Sequence, residues 1–469
     1  MVDSKEQVTE KSISEVLADF VIDTADQDIP AEVRTRALHH ILDALGIAFA
    51  STRYDFAHRT LNAIRNLSGT GVTPVIGMAT SLPPRDAAIV NGLLCHGLDF
   101  DDTHVTGVIH PTASLFPLVL SAASTVKASG SDVVTAYILG MEAAARLGSV
   151  AKGGFHQVGF HPTGVIGIFA CTLAAGRLYK LNRKQLVMAQ GIALSMASGS
   201  LEFLQDGAWN KRIHPGWAAA SALTAVSLAR EGFVGISKPY EGRFGLFNTY
   251  LGTESDSKDL SLATAGLGSQ WELMGTAIKP FPACHFTHAC IDSALHIRKK
   301  LDDLDEIESI TALVPQEVVK TVCEPVSNKK KPANSYEAQF SIPYAVAAAL
   351  CNKRFTLQEL DNEMISDPGI LTIASKVEYQ TDPDSPFPKA YSGELVVTLK
   401  SGEKISHREH INRGVADRPL SNGEIADKFK ETASLYLSQR ALDEVKTTLL
   451  DLDKATSAKS LINTLSANT

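Results

Sequence analysis

The chain has 469 residues, 44% hydrophobic and 20% charged, which is enough apolar mass for a large core and excludes an intrinsically disordered protein. Lysine and arginine total 44 against 52 aspartates and glutamates, a net charge of −8 without a basic tail, so no nucleic-acid partner is expected. At about 150 residues per domain, length alone suggests about three domains.

The opening residues carry Asp3, Lys5, Glu6, Glu10 and Lys11 and no apolar run, so neither a secretory signal nor a transit peptide is expected there. The apolar stretch 113–126 is interrupted by Pro117 and followed by Lys127, short of the roughly 18 residues of a membrane span. The expectation is a cytoplasmic protein with no membrane partner. Six cysteines are spread along the chain without a C-x-x-C, which suits reduced thiols better than disulfides or a zinc site.

Ser12-x-x-Glu15 reads as a capping box opening a first helix, and Pro30 opens a second with Val33, Ala37, Leu38, Ile41 and Leu45 on one face. Further helices are predicted at 56–67, 84–98, 112–128, 133–147, 163–179, 183–197 and 215–230. Many are apolar on most sides, as helices buried inside a bundle are. Beyond about residue 269 short β-like segments appear at 307–314, 370–379 and 394–399, the last joined to 403–407 by a Gly402 turn as a hairpin. The stretch 327–335, with Lys329, Lys330 and Lys331, reads as a solvated loop. Ser421-x-x-Glu424 then restarts a helical pattern. The fold class is therefore mainly α: a helical domain built from both chain ends, 1–269 and 410–469, with a smaller α/β domain at 270–409.

The dipeptide His-Pro occurs three times, at His110-Pro111, His161-Pro162 and His214-Pro215, where composition alone predicts about 0.6. Proline favours the first helical position, so each imidazole is expected at or just before a helix N-terminus, which attracts anions and favours a neutral ring. Three such termini together would bind a carboxylate or phosphate; singly, each His could simply precede a capped helix. The run from His96 to His104 holds Asp99, Asp101 and Asp102. Those carboxylates could serve acid–base chemistry, turn capping or a cation. Lys211-Arg212-Ile213-His214 adds cations for an anionic ligand, and Lys279 to His288 brings a lysine, two imidazoles and Cys284 together in a Pro-rich segment. No Gly-x-Ser-x-Gly, P-loop or Gly-x-Gly-x-x-Gly is present.

These motifs resemble the MmgE/PrpD family over nearly the whole chain. The resemblance is carried by His96-Gly97-Leu98-Asp99-Phe100-Asp101-Asp102-Thr103 with His110-Pro111, by Gly159-Phe160-His161-Pro162-Thr163 and by Lys211-x-x-His214-x-Gly216. Lys279-Pro280-Phe281-Pro282 with Thr287-His288, and Glu337-Ala338-Gln339-Phe340-Ser341-Ile342-Pro343-Tyr344, extend it. It implies that the α/β domain is a lid, that the protein is a homodimer, and that it uses no metal and no organic cofactor. By position it implies Asp99, His110, His161, Lys211 and Tyr344 as catalytic residues and Thr103, His214, Lys279 and His288 as substrate-binding residues.

The activity so implied is that of a lyase on a small di- or tricarboxylate, in the manner of a 2-methylcitrate dehydratase: proton abstraction next to a carboxylate, then loss of water. Alternatives are epimerisation of a dicarboxylate such as iminodisuccinate, decarboxylation of cis-aconitate and, last, a non-enzymatic carboxylate-binding protein. Relative to the decarboxylase branch, the chain has one residue more between Thr103 and His110, and His104 replaces an aromatic residue.

Overall fold

A computed structural model describes residues 11–465 except 206, 388 and 389. The polar leader at 1–10 lies outside the described residues. Contacts divide the chain into two units. The first takes the chain up to Gly97, Asp102–Thr276 and the stretch from Phe429 onward; the second takes Leu98–Asp101 and Ala277–Lys428.

The first unit is helical because its caps and apolar faces agree. Ser12 and Glu15 form the capping box of α1 (Ile13–Asp23), with the Ser12 N–H donating to Glu15 Oε2 at 2.9 Å. Pro30 then caps α2 (Ala31–Ser51). There follow α3 (Asp55–Leu67), α4 (Pro84–His96), α5 (Thr112–Ala123), α6 (Gly130–Val150), α7 (Pro162–Leu178), α8 (Arg183–Leu194) and α9 (Asn210–Arg230). Helix α6 is long and apolar enough to cross a membrane by composition. However, 94% of its apolar window is buried in the protein, as in a core helix. A two-stranded ribbon, Thr73–Pro74 with Ser81–Leu82, was not evident from the pattern.

Helices α4 and α9 touch through glycine. A Cβ on Gly92 would lie 2.4 Å from Gly216 Cα, and one on Gly216 would lie 2.2 Å from the Ile89 carbonyl oxygen. Only two bare backbones allow that approach, and it aligns the end of α4 with the start of α9.

The second unit contains α10 (His288–Arg298), α11 (Ile342–Asn352) and α12 (Pro368–Ser375) beside a four-stranded sheet. The strands β1 (Ile307–Val314), β2 (Val377–Thr381), β3 (Gly393–Leu399) and β4 (Lys404–Glu409) run in the order β2-β1-β3-β4. Strand β1 pairs parallel with β2 and antiparallel with β3, and β3–β4 is the expected hairpin, with Val396 opposite Ser406. Helix α13 (Asn422–Ala433), opened by Ser421 and Glu424, and α14 (Gln439–Leu450) complete the chain's main elements.

Three sequence expectations are corrected. The strand predicted at 370–379 is mostly helix α12, because Asp367 accepts from the Ile370 N–H and Pro368 occupies the first turn; the strand begins only at Val377. The stretch 327–335 is not a solvated loop. It contains a turn of helix, Val326–Lys330, whose Lys329 is half-buried and donates to the Thr321 carbonyl at 2.8 Å, while Lys330 pairs with Glu378 at 2.5 Å. Finally, α9 begins at Asn210, so Pro215 lies inside the helix and His214 sits in its second turn rather than before it.

Candidate active site

The first unit gathers four imidazoles. His96 ends α4, His110 precedes α5, His161 is the N-cap residue of α7 and His214 lies on α9. Ring centroids are 5.1 Å apart for His96 and His110, 5.6 Å for His96 and His161, 6.2 Å for His110 and His161, and 5.2 Å for His161 and His214. Phe203 stands edge-on to both His161 and His214 at 6.1 Å. His96 opens the motif His96–Thr103 but is not among the residues expected in the site. Its signal, a His in the last turn of an apolar helix, is too common to separate from a packed residue.

Neighbouring segments hold these rings in place. Asp102 caps α5, accepting from the Thr112 N–H at 3.2 Å and from its hydroxyl at 2.5 Å, and His40 Nδ1 lies 2.9 Å from the same carboxylate. His110 is thus relieved of capping, and its own N–H donates to Thr163 Oγ1 on α7 at 3.1 Å. The His161 N–H donates to the Gly199 carbonyl at 2.8 Å. Gly199 has φ +137°, and a Cβ there would come within 3.4 Å of His214 Nδ1, so glycine lets this segment pass the two rings.

Hydrogen bonds set the tautomers. His110 Nδ1 lies 2.7 Å from the Asp102 carbonyl oxygen, which can only accept, so Nδ1 carries the proton. Thr103 Oγ1 is 3.2 Å from the same nitrogen. In the neutral ring Nε2 is therefore the basic atom. His161 Nδ1 and His214 Nδ1 are 3.0 Å apart, so one donates and the other accepts, and the two rings are opposite tautomers. Burial first, then the positive fields of His96 and Lys211, hold the His161 imidazole well below its usual range. Burial with the same two neighbours pushes His214 down to about 4. Lys211, in the first turn of α9, thus supplies positive charge beside His161 and His214.

His104 takes no part in this cluster. Its Nδ1 accepts from the Gly107 N–H at 3.1 Å, and its Nε2 lies 3.3 Å from Glu272 Oε2, closing the 104–109 turn.

The other predicted residues belong to the second unit. Buried Lys279 donates to the Asp99 carbonyl at 2.8 Å, with Asp99 Oδ2 at 3.5 Å, and Asp99 is in the left-handed region at φ 52°. His288, fully buried, donates from Nε2 to the Ala283 carbonyl at 3.0 Å and stacks edge-on to Phe281. Burial, then His285 and Lys279, keeps it neutral. Its neighbour His285, ring centroids 4.9 Å apart, was not among the expected residues. Tyr344 is buried in α11, donates to the Glu359 carbonyl and has its phenol pushed well up by burial. Among the described residues no group of three or more His, Cys, Asp or Glu side chains is arranged to hold a metal ion.

The chain has relatives among known proteins. Residues 15–258 match the MmgE/PrpD N-terminal domain and residues 281–452 match the MmgE/PrpD C-terminal domain, and the chain belongs to the MmgE/PrpD family. It is 29% identical to the cis-aconitate decarboxylase of Homo sapiens over 442 residues, 91% of this chain and 89% of the relative. It is 25% identical to that of Aspergillus terreus over 485 residues, 98% and 97% of the two chains. It is also 24% identical to the mitochondrial 2-methylcitrate dehydratase of Yarrowia lipolytica (strain CLIB 122 / E 150) over 451 residues, 89% and 82%. With carboxy-lyases and a hydro-lyase as relatives, the chain is an enzyme of the lyase kind.

Proposed function

We propose that this lyase acts without a cofactor on a tricarboxylate, and that its imidazole cluster moves the proton next to one carboxylate. The observation that carries the reading is the 2.7 Å bond from His110 Nδ1 to the Asp102 carbonyl, which leaves Nε2 as the basic atom of that ring. In the dehydration we favour, His110 Nε2 takes the carbon-bound proton. Lys211 and the nearby N-terminus of α7 hold the carboxylate as negative charge develops on it. The C–O bond then breaks, and the departing hydroxide leaves as water with a proton returned by the cluster, which ends neutral. The His161–His214 pair is suited to carrying that proton, since either ring can be the donor.

A second reading, decarboxylation, draws support from the cis-aconitate decarboxylases among the relatives. There the cluster would supply a proton to the carbon skeleton as carbon dioxide leaves. Dehydration is preferred because the chain departs from the decarboxylase pattern between Thr103 and His110, beside the ring given the base role. A homodimer and independence of added cofactor belong to the same proposal, and light scattering and extensive dialysis against chelator test them.

The deciding experiment follows purified protein by proton NMR in heavy water with 2-methylcitrate, cis-aconitate and an iminodisuccinate stereoisomer. Loss of water from the first supports the dehydratase reading, and loss of carbon dioxide from the second replaces it with the decarboxylase reading. Deuterium exchange with inversion of the third would replace both with epimerisation. A folded protein inert toward all three would overturn the proposal.

A further inference from the structure

The second unit holds a cavity of about 810 Å³ that contains none of the residues given a role above. Its lining includes five cations, Arg298, Lys299, Lys353, Arg413 and Arg418, against three carboxylates, Asp292, Asp302 and Glu409. Two of the cations are already neutralised. Arg413 Nε lies 3.0 Å from Asp292 Oδ1, and Arg418 pairs with Glu409 while donating to the Ile411 carbonyl at 2.9 Å.

Three cations then remain on one cavity with a single carboxylate, in a chain whose net charge is −8. Lys299 and Lys353 form no ion pair among the described residues. Arg298 donates from Nη1 to the Leu301 carbonyl, while its Nε is buried and meets no acceptor among the described residues. Each is fixed by helix geometry: Arg298 ends α10, Lys299 is its C-cap, and Lys353 is the C-cap of α11 at φ 60°. Three cations lining one cavity favour an anion there, and a buried N–H without an acceptor is rare in a folded protein. The volume falls in the range of small-ligand sites, and a guanidinium and two ammonium groups lining one cavity suit phosphoryl oxygens. His296, stacked face to face on His407 at 3.7 Å, adds a flat ring to the same wall.

We infer that this cavity is a binding site for a small phosphorylated molecule. Phosphoryl oxygens are held by Arg298, Lys299 and Lys353, and a planar group, where the molecule has one, rests near His296.

The test is calorimetric titration of the full-length protein with pyrophosphate, ADP and citrate at low and moderate salt, repeated with the Lys299→Gln/Lys353→Gln double variant. Both lysines are exposed, so the variant should fold, and its melting temperature checks this. Expected is saturable binding of pyrophosphate or ADP that weakens with salt and is at least about tenfold weaker in the variant. Tighter binding of ADP than pyrophosphate would identify a nucleotide as the source of the phosphoryl groups; equal binding would mean that the phosphoryl groups alone are read. The inference fails if neither phosphate binds, if the variant binds them as well as the parent, or if citrate binds as tightly with the same loss in the variant.

Discussion

The imidazoles of the helical unit, buried at His96 and His161 and half-buried at His110 and His214, and the buried lysine, aspartate and histidine of the α/β unit are held in different ways. In the helical unit the rings sit at or near helix ends and are oriented by main-chain groups and by one another: His110 by the Asp102 carbonyl, His161 by His214. In the α/β unit Lys279 and His288 are tied to the carbonyls of irregular segments, at Asp99 and Ala283. Helix ends offer rigid placement with ring nitrogens still available for proton transfer. At Lys279 the donor satisfies a backbone carbonyl, because a buried carbonyl without a partner costs roughly 1–3 kcal/mol. His288 gives one ring nitrogen to a carbonyl, as His110 does, and its Nδ1 has no hydrogen-bond partner among the described residues. Under the function proposed above, the first set carries the proton chemistry and the second has structural or binding duty.

The sharpest way to break that contrast is His161→Ala. Turnover should fall by about 10²–10⁴ with the melting temperature little changed, and an active variant would remove the cluster from the chemistry. Lys211→Ala should follow, with a loss of about 10² in kcat/KM as positive charge leaves the cluster's surroundings. In the second unit Lys279→Met should act mainly on stability, lowering it by roughly 1–3 kcal/mol in denaturant titrations, since a buried carbonyl and carboxylate lose their partner. If it instead removed turnover at unchanged stability, the two regions would share the chemistry. Gly216→Ala should cost roughly 1–3 kcal/mol, because the added methyl meets the Ile89 carbonyl, and it should lower activity only by displacing His214.

A further expected effect is a pH dependence of stability. His161, His214 and His288 all have folded-state pKa values below the ordinary 6.5, that of His214 at about 4. Between those limits the unfolded chain binds more protons, so stability rises with pH, and is lost as pH falls from about 6.5 toward about 4. Thermal melts across that window should show the fall, and His214→Asn should flatten it.

Much of the helical unit was legible in the sequence because its signals are local. The Ser12–Glu15 box, Pro30 and the apolar faces act within a turn or two, and those helices stand where the pattern placed them. The segment before β2 was misread because Ile370, Leu371 and Ile373 are as apolar as a strand, and the Asp367 cap decided for helix. Lys329 and Lys330 differ from the solvated reading, which Lys331 fits, because a charge run looks the same whether it is solvated or folded back on carbonyls. Three His-Pro pairs pointed to the cluster, but His96 and the opposite tautomers of His161 and His214 did not emerge from spacing, since each depends on residues far apart in the chain.

The sequence by itself determined the family, the mainly helical class and the residue types available for chemistry, all properties of short motifs and composition. Only the tertiary structure decided which imidazole nitrogen is basic, that Asp102 caps α5 rather than facing a ligand, and that surplus cations line one cavity of an acidic chain. The physical reason is that protonation and pairing are set by what lies within about 3 Å, and in a folded chain those neighbours come from distant segments.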